Sequence, residues 1–556
     1  MACKPFISSS FSSALFIFLL SLLFSSAALA ADICDSTPYP SSCRSSAPNN
    51  NNATANVYDY GRSSFTNSLS TARSFLSSTQ NFLQRSSDLT TGAIAALEDC
   101  RLLADLNIDY ISESSKLINQ PQTLSTSEID NVHTLMSSVL TNTQTCLDGL
   151  EEAASSWSSK DGVLIPLVNA TKLYSVSLSL FKRGWVPKTR SVSVSHTPRK
   201  RGAFVNGRFP FKMVGQNKAS VEKIGGRKLL QDGGGEYIVV SAIVVVSQDG
   251  TGDFLTINEA LTLAPNKTAA SDGYFVIYVT AGVYEEYVSI PKNNRYVMMI
   301  GDGINQTVIT GNRSTTDGFT TFNTATFAVV GPGFVAVNIT FRNTAGGENH
   351  QAVAMRSGAD MSTFYSCSFE GYQDTLYPHS NRQFYTECDI YGTVDFIFGN
   401  GAAVLQDCNI YPRLPLSNQF NAITAQGRSD INQNTGISIQ NCNIRAADDL
   451  ASSSGGTQTY LGRPWKLYSR TIYMQSFMDS LINPVGWREW SGTFALDTLY
   501  YAEFSNTGPG SDTSGRVTWT GYRNINETDA AAFTVSSFIS GDNWLPLTGV
   551  PYSSGL

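Results

Sequence analysis

Five short segments in the C-terminal half align on one pattern: Asn338-Ile-Thr-Phe341, Ser366-Cys-Ser-Phe369, Glu387-Cys-Asp-Ile390, Asp407-Cys-Asn-Ile410 and Asn441-Cys-Asn-Ile444. Their successive separations are 28, 21, 20 and 34 residues. A period near 20 with loop-sized excursions is what a solenoid of short coils produces, and no other feature limits the fold as much. If each repeat is one coil of a parallel β-helix, residues one period apart stack on neighbouring rungs about 4.8 Å apart. Cys367 and Cys388 are 21 apart, and so are Asp374 and Asp395.

From Tyr237 onward, short runs of Val, Ile, Thr, Tyr and Phe separated by Gly, Asn and Asp give an all-β profile. Ahead of it, from about Val57 to Phe181, apolar residues recur at three, four or seven positions, as in Ala93, Leu97, Cys100, Leu103. That is the amphipathic helix pattern, and several such helices with little proline predict an antiparallel bundle. Cys34 and Cys43 precede this region and Cys100 and Cys146 lie within it, so two disulfides could staple it.

Between Lys182 and Lys228 there are thirteen basic residues and one acidic residue, Glu222, with no periodicity, which predicts an exposed linker. Its end, Arg227-Lys-Leu-Leu230, suits a processing protease that reads basic residues. No nucleic-acid-binding motif accompanies the basic stretch, so no nucleic-acid partner is expected. At the N-terminus, Lys4, the apolar run Ala14 to Phe24 and the small-residue pattern Ala28-Leu-Ala30 predict a secretory signal. The run is short for a bilayer span, so no membrane anchor is expected in the mature form. The expected division is a signal peptide 1–30, a helical domain 31–181, a basic linker 182–230 and a β-helix domain 231–556.

Export permits disulfides, and eight cysteines remain once Cys3 is removed. None forms a C-x-x-C pair, and four histidines show no ligand spacing, so no metal is expected. Seven N-x-[ST] sequons, at Asn52, Asn169, Asn266, Asn305, Asn312, Asn338 and Asn526, fit a glycosylating secretory route; Asn338, in a strand-like run, is the least suited to modification. Residues 1–230 carry 22 Lys and Arg against 16 Asp and Glu, whereas 231–556 carry 16 against 29. The acidic half gains little from a polyanion.

Two stacked carboxylates cannot both ionise cheaply, so one of Asp374 and Asp395 should hold a proton as an acid while the other serves as nucleophile or base. An Asp pair in a solenoid could also merely cap turns. Asp395, however, lies in Thr393-Val-Asp-Phe-Ile-Phe398, where an unpartnered carboxylate is costly, and Arg463 is a candidate partner. Spacing leaves the reaction open, since a close carboxylate pair also suits a retaining glycosidase. There is no G-x-S-x-G elbow.

The motifs Asp249-Gly-Thr-Gly-Asp-Phe254, Gly282-Val-Tyr-Glu-Glu286, Gln351-Ala-Val-Ala354, Gly371-Tyr-Gln-Asp-Thr-Leu-Tyr377, Gly392-Thr-Val-Asp-Phe-Ile-Phe-Gly399 and Leu461-Gly-Arg-Pro-Trp465 stand in order. With them the chain resembles plant pectin methylesterases (pectinesterases) made with an N-terminal inhibitor-like pro-region. The resemblance covers essentially the whole chain. It implies an all-β right-handed parallel β-helix preceded by an all-α four-helix bundle, hydrolysis of the C6 methyl esters of galacturonosyl units in pectin (homogalacturonan), and no cofactor. Residue by residue, Asp395 matches the nucleophile, Asp374 the proton donor, and Gln373 and Gln351 the amides that meet the oxyanion. Arg463, Trp465 and Thr321 match substrate contacts. Gln351 and Gln373 could instead satisfy turn backbones, Arg463 a surface pair, and Trp465 and Thr321 packing.

Pro378 and Gly401 depart from the family pattern at positions that carry no chemistry. Asp32-Ile-Cys34, Pro40-Ser-Ser-Cys43, Leu97-Glu-Asp-Cys100 and Thr145-Cys-Leu-Asp148 resemble the pectinesterase-inhibitor and invertase-inhibitor bundle. That likeness implies the disulfides Cys34 with Cys43 and Cys100 with Cys146. In the catalytic part Cys367 is expected to pair with Cys388 and Cys408 with Cys442. The implied protein is a secreted cell-wall esterase held silent by its pro-region until cleavage at Arg227-Lys-Leu-Leu230, with proteinaceous pectinesterase inhibitors as further partners. The rival readings are a β-helix glycosidase or lyase on the same polymer, and a non-catalytic inhibitor or binding protein.

Overall fold

The computed structural model describes residues 33–48, 55–85, 89–120, 123–153, 157, 160–187, 209–213, 229–231 and 237–556. The expected signal peptide, most of the linker, and Arg227 and Lys228 of the processing sequence lie outside the described residues.

Four long helices, Val57–Leu83, Thr91–Ile118, Thr126–Glu152 and Asp161–Trp185, form the bundle. Their starts follow from capping chemistry. Asn56 with Asp59 and Ser125 with Glu128 each close a capping box, and Thr90 accepts from the Ala93 amide. Disulfides join Cys34 to Cys43 and Cys100 to Cys146, the latter tying the second long helix to the third. Asp161–Trp185 is long and apolar enough to cross a membrane by composition, but Ala170, Tyr174, Leu178 and Phe181 on it pack into the bundle core.

From Ile238 the chain winds as a parallel β-helix whose coils feed three sheets of 13, 8 and 7 strands. The repeated motif marks one corner of five successive coils. Asn338, Ser366, Glu387, Asp407 and Asn441 have φ of 59, 52, 51, 57 and 53°, and each turns the chain from the 13-stranded to the 8-stranded sheet. Asn338 is thus a turn residue between strands Val335–Val337 and Thr340–Asn343, not a strand residue. The apolar end of the motif then stacks inward: Phe341 pairs with Phe369, Phe369 with Ile390, Ile390 with Ile410 and Ile410 with Ile444. Phe341 and Phe369 lie 5.6 Å apart and nearly parallel, because in-register parallel strands place like side chains directly over one another.

The same stacking corrects the cysteine expectation. Cys367, Cys388, Cys408 and Cys442 are all buried free thiols in one column of the β-helix interior. Rung neighbours sit about 4.8 Å apart with parallel Cα–Cβ bonds, whereas a disulfide draws its Cβ atoms to about 3.8 Å with the bonds turned toward each other. The thiols point instead at carbonyl oxygens, as Cys388 does to Thr386 at 3.3 Å.

Two short pieces of the region expected as linker are strands among the described residues. Phe209–Met213 pairs with both Leu229–Gln231 and Ile238–Val246, extending the 13-stranded sheet, since the first coil leaves an edge of unpaired backbone groups. Pro378 and Gly401 meet: the Gly401 amide donates to the Pro378 carbonyl at 2.9 Å, and a Cβ on Gly401 would approach that oxygen to 3.0 Å. The two departures sit against each other.

Candidate active site

Asp374 and Asp395 occupy equivalent corners of adjacent coils, between the 8-stranded and 7-stranded sheets, where Leu376 pairs with Ile397. Both are in the left-handed region, with φ of 64 and 54°, a conformation that non-glycine residues hold only where the surroundings enforce it. The Asp374 amide donates to the Val394 carbonyl at 3.1 Å, locking the two corners together. Both carboxylates are buried, at 7 % and 4 % exposure.

Their environments differ. Arg463 grips Asp395 with two bonds, Nε to Oδ1 at 2.8 Å and Nη2 to Oδ2 at 2.6 Å. Burial pushes Asp395 above its ordinary value and these bonds oppose it, whereas Asp374 rises well above through burial and the adjacent Asp395 charge, with Arg463 acting on it only through space. Of the two carboxyls, Asp374 is therefore pushed further toward its acid form, and Asp395 is the one whose charge Arg463 supports. Trp490 covers the guanidinium at 4.3 Å. Thr315 Oγ1 donates to Gln351 Oε1 at 3.0 Å, so the Gln351 amide N–H groups remain as donors. Trp465 rests on Gly427, where a Cβ would come within 2.8 Å of its ring. Phe398 meets Trp465 edge-on at 6.0 Å and stacks on Tyr377 at 4.1 Å, giving an aromatic floor.

All seven residues singled out in the sequence, Thr321, Gln351, Gln373, Asp374, Asp395, Arg463 and Trp465, line one cavity. Sequence reasoning missed Trp490 in the same cavity; its signal was a tryptophan next to charged residues in Trp487-Arg-Glu-Trp490. It also missed the cavity's other wall, which comes from the bundle: Asp99, Thr145, Asp148, Gly149 and Glu152.

The helix Thr126–Glu152 lies against the β-helix along a polar stripe. Ser138 Oγ donates to Asn381 Oδ1 at 2.8 Å, Asn400 Nδ2 donates to Thr141 Oγ1 at 2.8 Å, and Thr145 Oγ1 meets His379 Nε2 at 2.9 Å. Further along, Asp148 accepts from Lys466 Nζ at 2.7 Å. The preceding helix contributes Asp105 and Asp109, which hold Lys292 at 2.7 and 2.6 Å, and Asp99, which accepts from Thr320 Oγ1 at 2.5 Å and from Asn323 Nδ2. Glu152 adds a further carboxylate whose charge raises Asp374. With the bundle seated, the space above the dyad is about 280 Å³, at the lower end of ordinary small-molecule pockets.

Residues 243–542 match the family described as "Pectinesterase", and residues 28–180 the family described as "Plant invertase/pectin methylesterase inhibitor". The "Probable pectinesterase/pectinesterase inhibitor 7" of Arabidopsis thaliana is 57 % identical over 97 % of both chains. "Pectinesterase 2" of Citrus sinensis is 49 % identical over 83 % of this chain and 82 % of its own. Among solved structures, "Pectin methylesterase from Carrot" is 55 % identical, with a TM-score of 0.55, and covers 56 % of this chain and 98 % of its own.

Proposed function

Since the chain belongs to the pectinesterase family, with an inhibitor-family bundle ahead of its catalytic part, and is therefore a carboxylic ester hydrolase, we propose that it demethylates cell-wall pectin through an aspartyl acyl-enzyme and is exported as a silenced precursor. One observation carries the mechanism: of two rung-stacked aspartates, Arg463 pairs with Asp395 alone.

Asp395 attacks the C6 carbonyl of a methyl-esterified galacturonosyl unit, and the oxyanion takes hydrogen bonds from the Gln351 and Gln373 amides. Collapse of the tetrahedral species expels the methoxy oxygen, which takes the proton of Asp374 and leaves as methanol. Asp374, now ionised, draws a proton from water as that water attacks the acyl carbon; Asp395 departs as the carboxylate and Asp374 is again an acid. Arg463 stabilises the Asp395 carboxylate before attack and again as it departs, while Trp465 and Thr321 hold the sugar chain. The mechanism needs no cofactor.

Silencing follows from the bundle wall. Asp148, Gly149 and Glu152 wall the cavity over the dyad, which supports a bundle that keeps a polymer chain from it. Cleavage at Arg227-Lys-Leu-Leu230 then separates bundle from enzyme, and free inhibitor bundles of the same family would compete for the same face. The seating of the chain's own bundle over the cleft favours action in cis.

The test compares residues 237–556, the full precursor and the Asp395→Asn variant for methanol release from highly methylated pectin, with polymer length followed. Methanol without chain shortening, greater in the short form and lost with Asp395, is the expected outcome. Chain shortening would transfer the dyad to glycosidic chemistry.

A further inference from the structure

Arg463 is held by more than its carboxylate. Its guanidinium carbon lies over two rings, Trp490 at 4.3 Å and Phe420 at 5.3 Å. Trp490 belongs to the wall of the dyad's cavity, whereas Phe420 stands outside that wall among the described residues. Phe420 is itself fixed. Tyr460 meets its ring edge-on at 5.8 Å, the Arg488 guanidinium lies over it at 4.0 Å, and Arg488 Nη1 donates to the Tyr460 hydroxyl at 3.3 Å. Parallel winding brings these groups together: Ala422 pairs with Tyr460 and Gly462 bridges to Trp487, so Phe420, Arg463 and Arg488 come from three successive coils. The Arg488 amide donates to the Gly462 carbonyl at 3.0 Å, which ties the last of these coils to the one that carries Arg463.

We infer that Phe420 is a positioning residue for the second half of the reaction: with Trp490 it keeps the Arg463 guanidinium in place while Asp395 is acylated, so that Asp395 meets its two donors again as it departs. The inference rests on the aspartyl acyl-enzyme reading. In the resting enzyme the Asp395 carboxylate itself fixes Arg463, by two bonds. Acylation turns that carboxylate into one side of a mixed anhydride, which carries no charge and accepts hydrogen bonds far more weakly. Asp374 has by then given its proton to methanol, so the carboxylate left to attract Arg463 is Asp374, whose charge already reaches the guanidinium through space. A guanidinium drawn to Asp374 would weaken that base and desert the leaving group. In deacylation water attacks the acyl carbon, Asp374 takes the water's proton, and the bond to Asp395 breaks with its electron pair going to the Asp395 oxygen; the charge appears where Arg463 must be waiting. The face of a neutral ring attracts a cation equally before and after acylation, so Phe420 supplies a hold that the chemistry does not switch off.

The test uses residues 237–556, which have a hydrophobic core of their own and correspond to a carrot structure covered over 98 % of its chain. Steady-state and rapid-quench methanol release from methylated oligogalacturonides are measured for the parent, Phe420→Leu and Phe420→Tyr. Phe420 is half-buried, so both variants should fold, and melting temperatures check this. Because kcat/KM ends at methanol release and kcat includes deacylation, Phe420→Leu should lower kcat about tenfold and leave kcat/KM within about twofold, with KM falling to match. A methanol burst approaching one per enzyme should precede its steady state. Phe420→Tyr, which keeps the ring face, should match the parent. A loss shared equally by kcat and kcat/KM, an unchanged kcat, or a KM that rises as it would for a sugar contact overturns the inference. A stability cycle with Arg463→Met judges the hold without reference to activity: the cost of Phe420→Leu in urea unfolding should shrink when Arg463 is absent, and an unchanged cost overturns the hold. Parent protein that releases no methanol while the cycle shows coupling keeps the hold on Arg463 and removes the esterase reading.

Discussion

Raising the pH should open the precursor, and Asp99 sets much of the effect. With the bundle seated, burial lifts the Asp99 carboxyl from the usual 3.8 to about 7, against the downward pull of Thr320, Arg356 and Asn323. Once the bundle swings away, that carboxyl meets water and returns to its ordinary value. The closed state therefore binds the proton more tightly than the open one. Its advantage is full below about pH 4 and is lost as the pH rises through about 7. A shift of about three pH units at 1.36 kcal/mol each gives about 4 kcal/mol, or roughly a thousandfold in the closed-to-open ratio. Glu152 and Asp374 are also raised, mainly by burial, and act in the same direction. The assay is methanol release by the full precursor divided by that of residues 237–556 at each pH, which cancels the pH profile of the chemistry itself. The ratio should climb with pH in the parent and climb less in Asp99→Asn, whose amide has no proton to lose. A ratio that falls with pH, or an Asn variant that tracks the parent, refutes the argument.

Three further outcomes follow from the same geometry. Replacing Arg463 with Lys removes the two-bond grip on Asp395, so Asp395 should hold its proton to higher pH; the acidic limb of kcat/KM moves upward, with a loss of about tenfold to a hundredfold at its plateau. A precursor comprising residues 31–556, unfolded without reductant, should expose four reactive thiols that are silent in the native protein, while two disulfides persist; a count of zero by thiol titration would restore the disulfide reading of the β-helix. Lys466→Glu in the full chain should loosen the bundle by about 1 kcal/mol, since the pair with Asp148 is partly exposed, and Asp148→Lys in the same protein should restore protease resistance of the closed form.

What the sequence made legible was whatever repeats in register. The 21-residue offset of Asp374 and Asp395 could be read because an in-register β-helix converts sequence period directly into adjacency, and each corner repeats its left-handed residue, from Asn338 to Asn441. The same rule misled at the cysteines: equal offsets guarantee adjacency, but parallel rungs hold side chains side by side at a distance that suits stacked thiols and exceeds disulfide geometry. Arg463 and Trp490 were harder, since they reach the dyad from later coils whose loop lengths vary, and no period predicts a contact 68 residues away.

Least legible was the bundle's position. Ser138, Thr141 and Thr145 recur at helical spacing on a face that, by composition, should be solvated. They are small enough for close approach to the β-helix and polar enough to exchange water for Asn381, Asn400 and His379. An apolar stripe there would seat the bundle irreversibly and expose a sticky face after cleavage, whereas a polar stripe allows both closure and release. Acids beside it then help decide where it seats: Asp148, further along the same helix, meets Lys466, and Asp99 of the preceding helix meets Thr320 and Asn323. A bundle built this way is held by small polar side chains and a few acids whose contacts water can replace once the linker is cut.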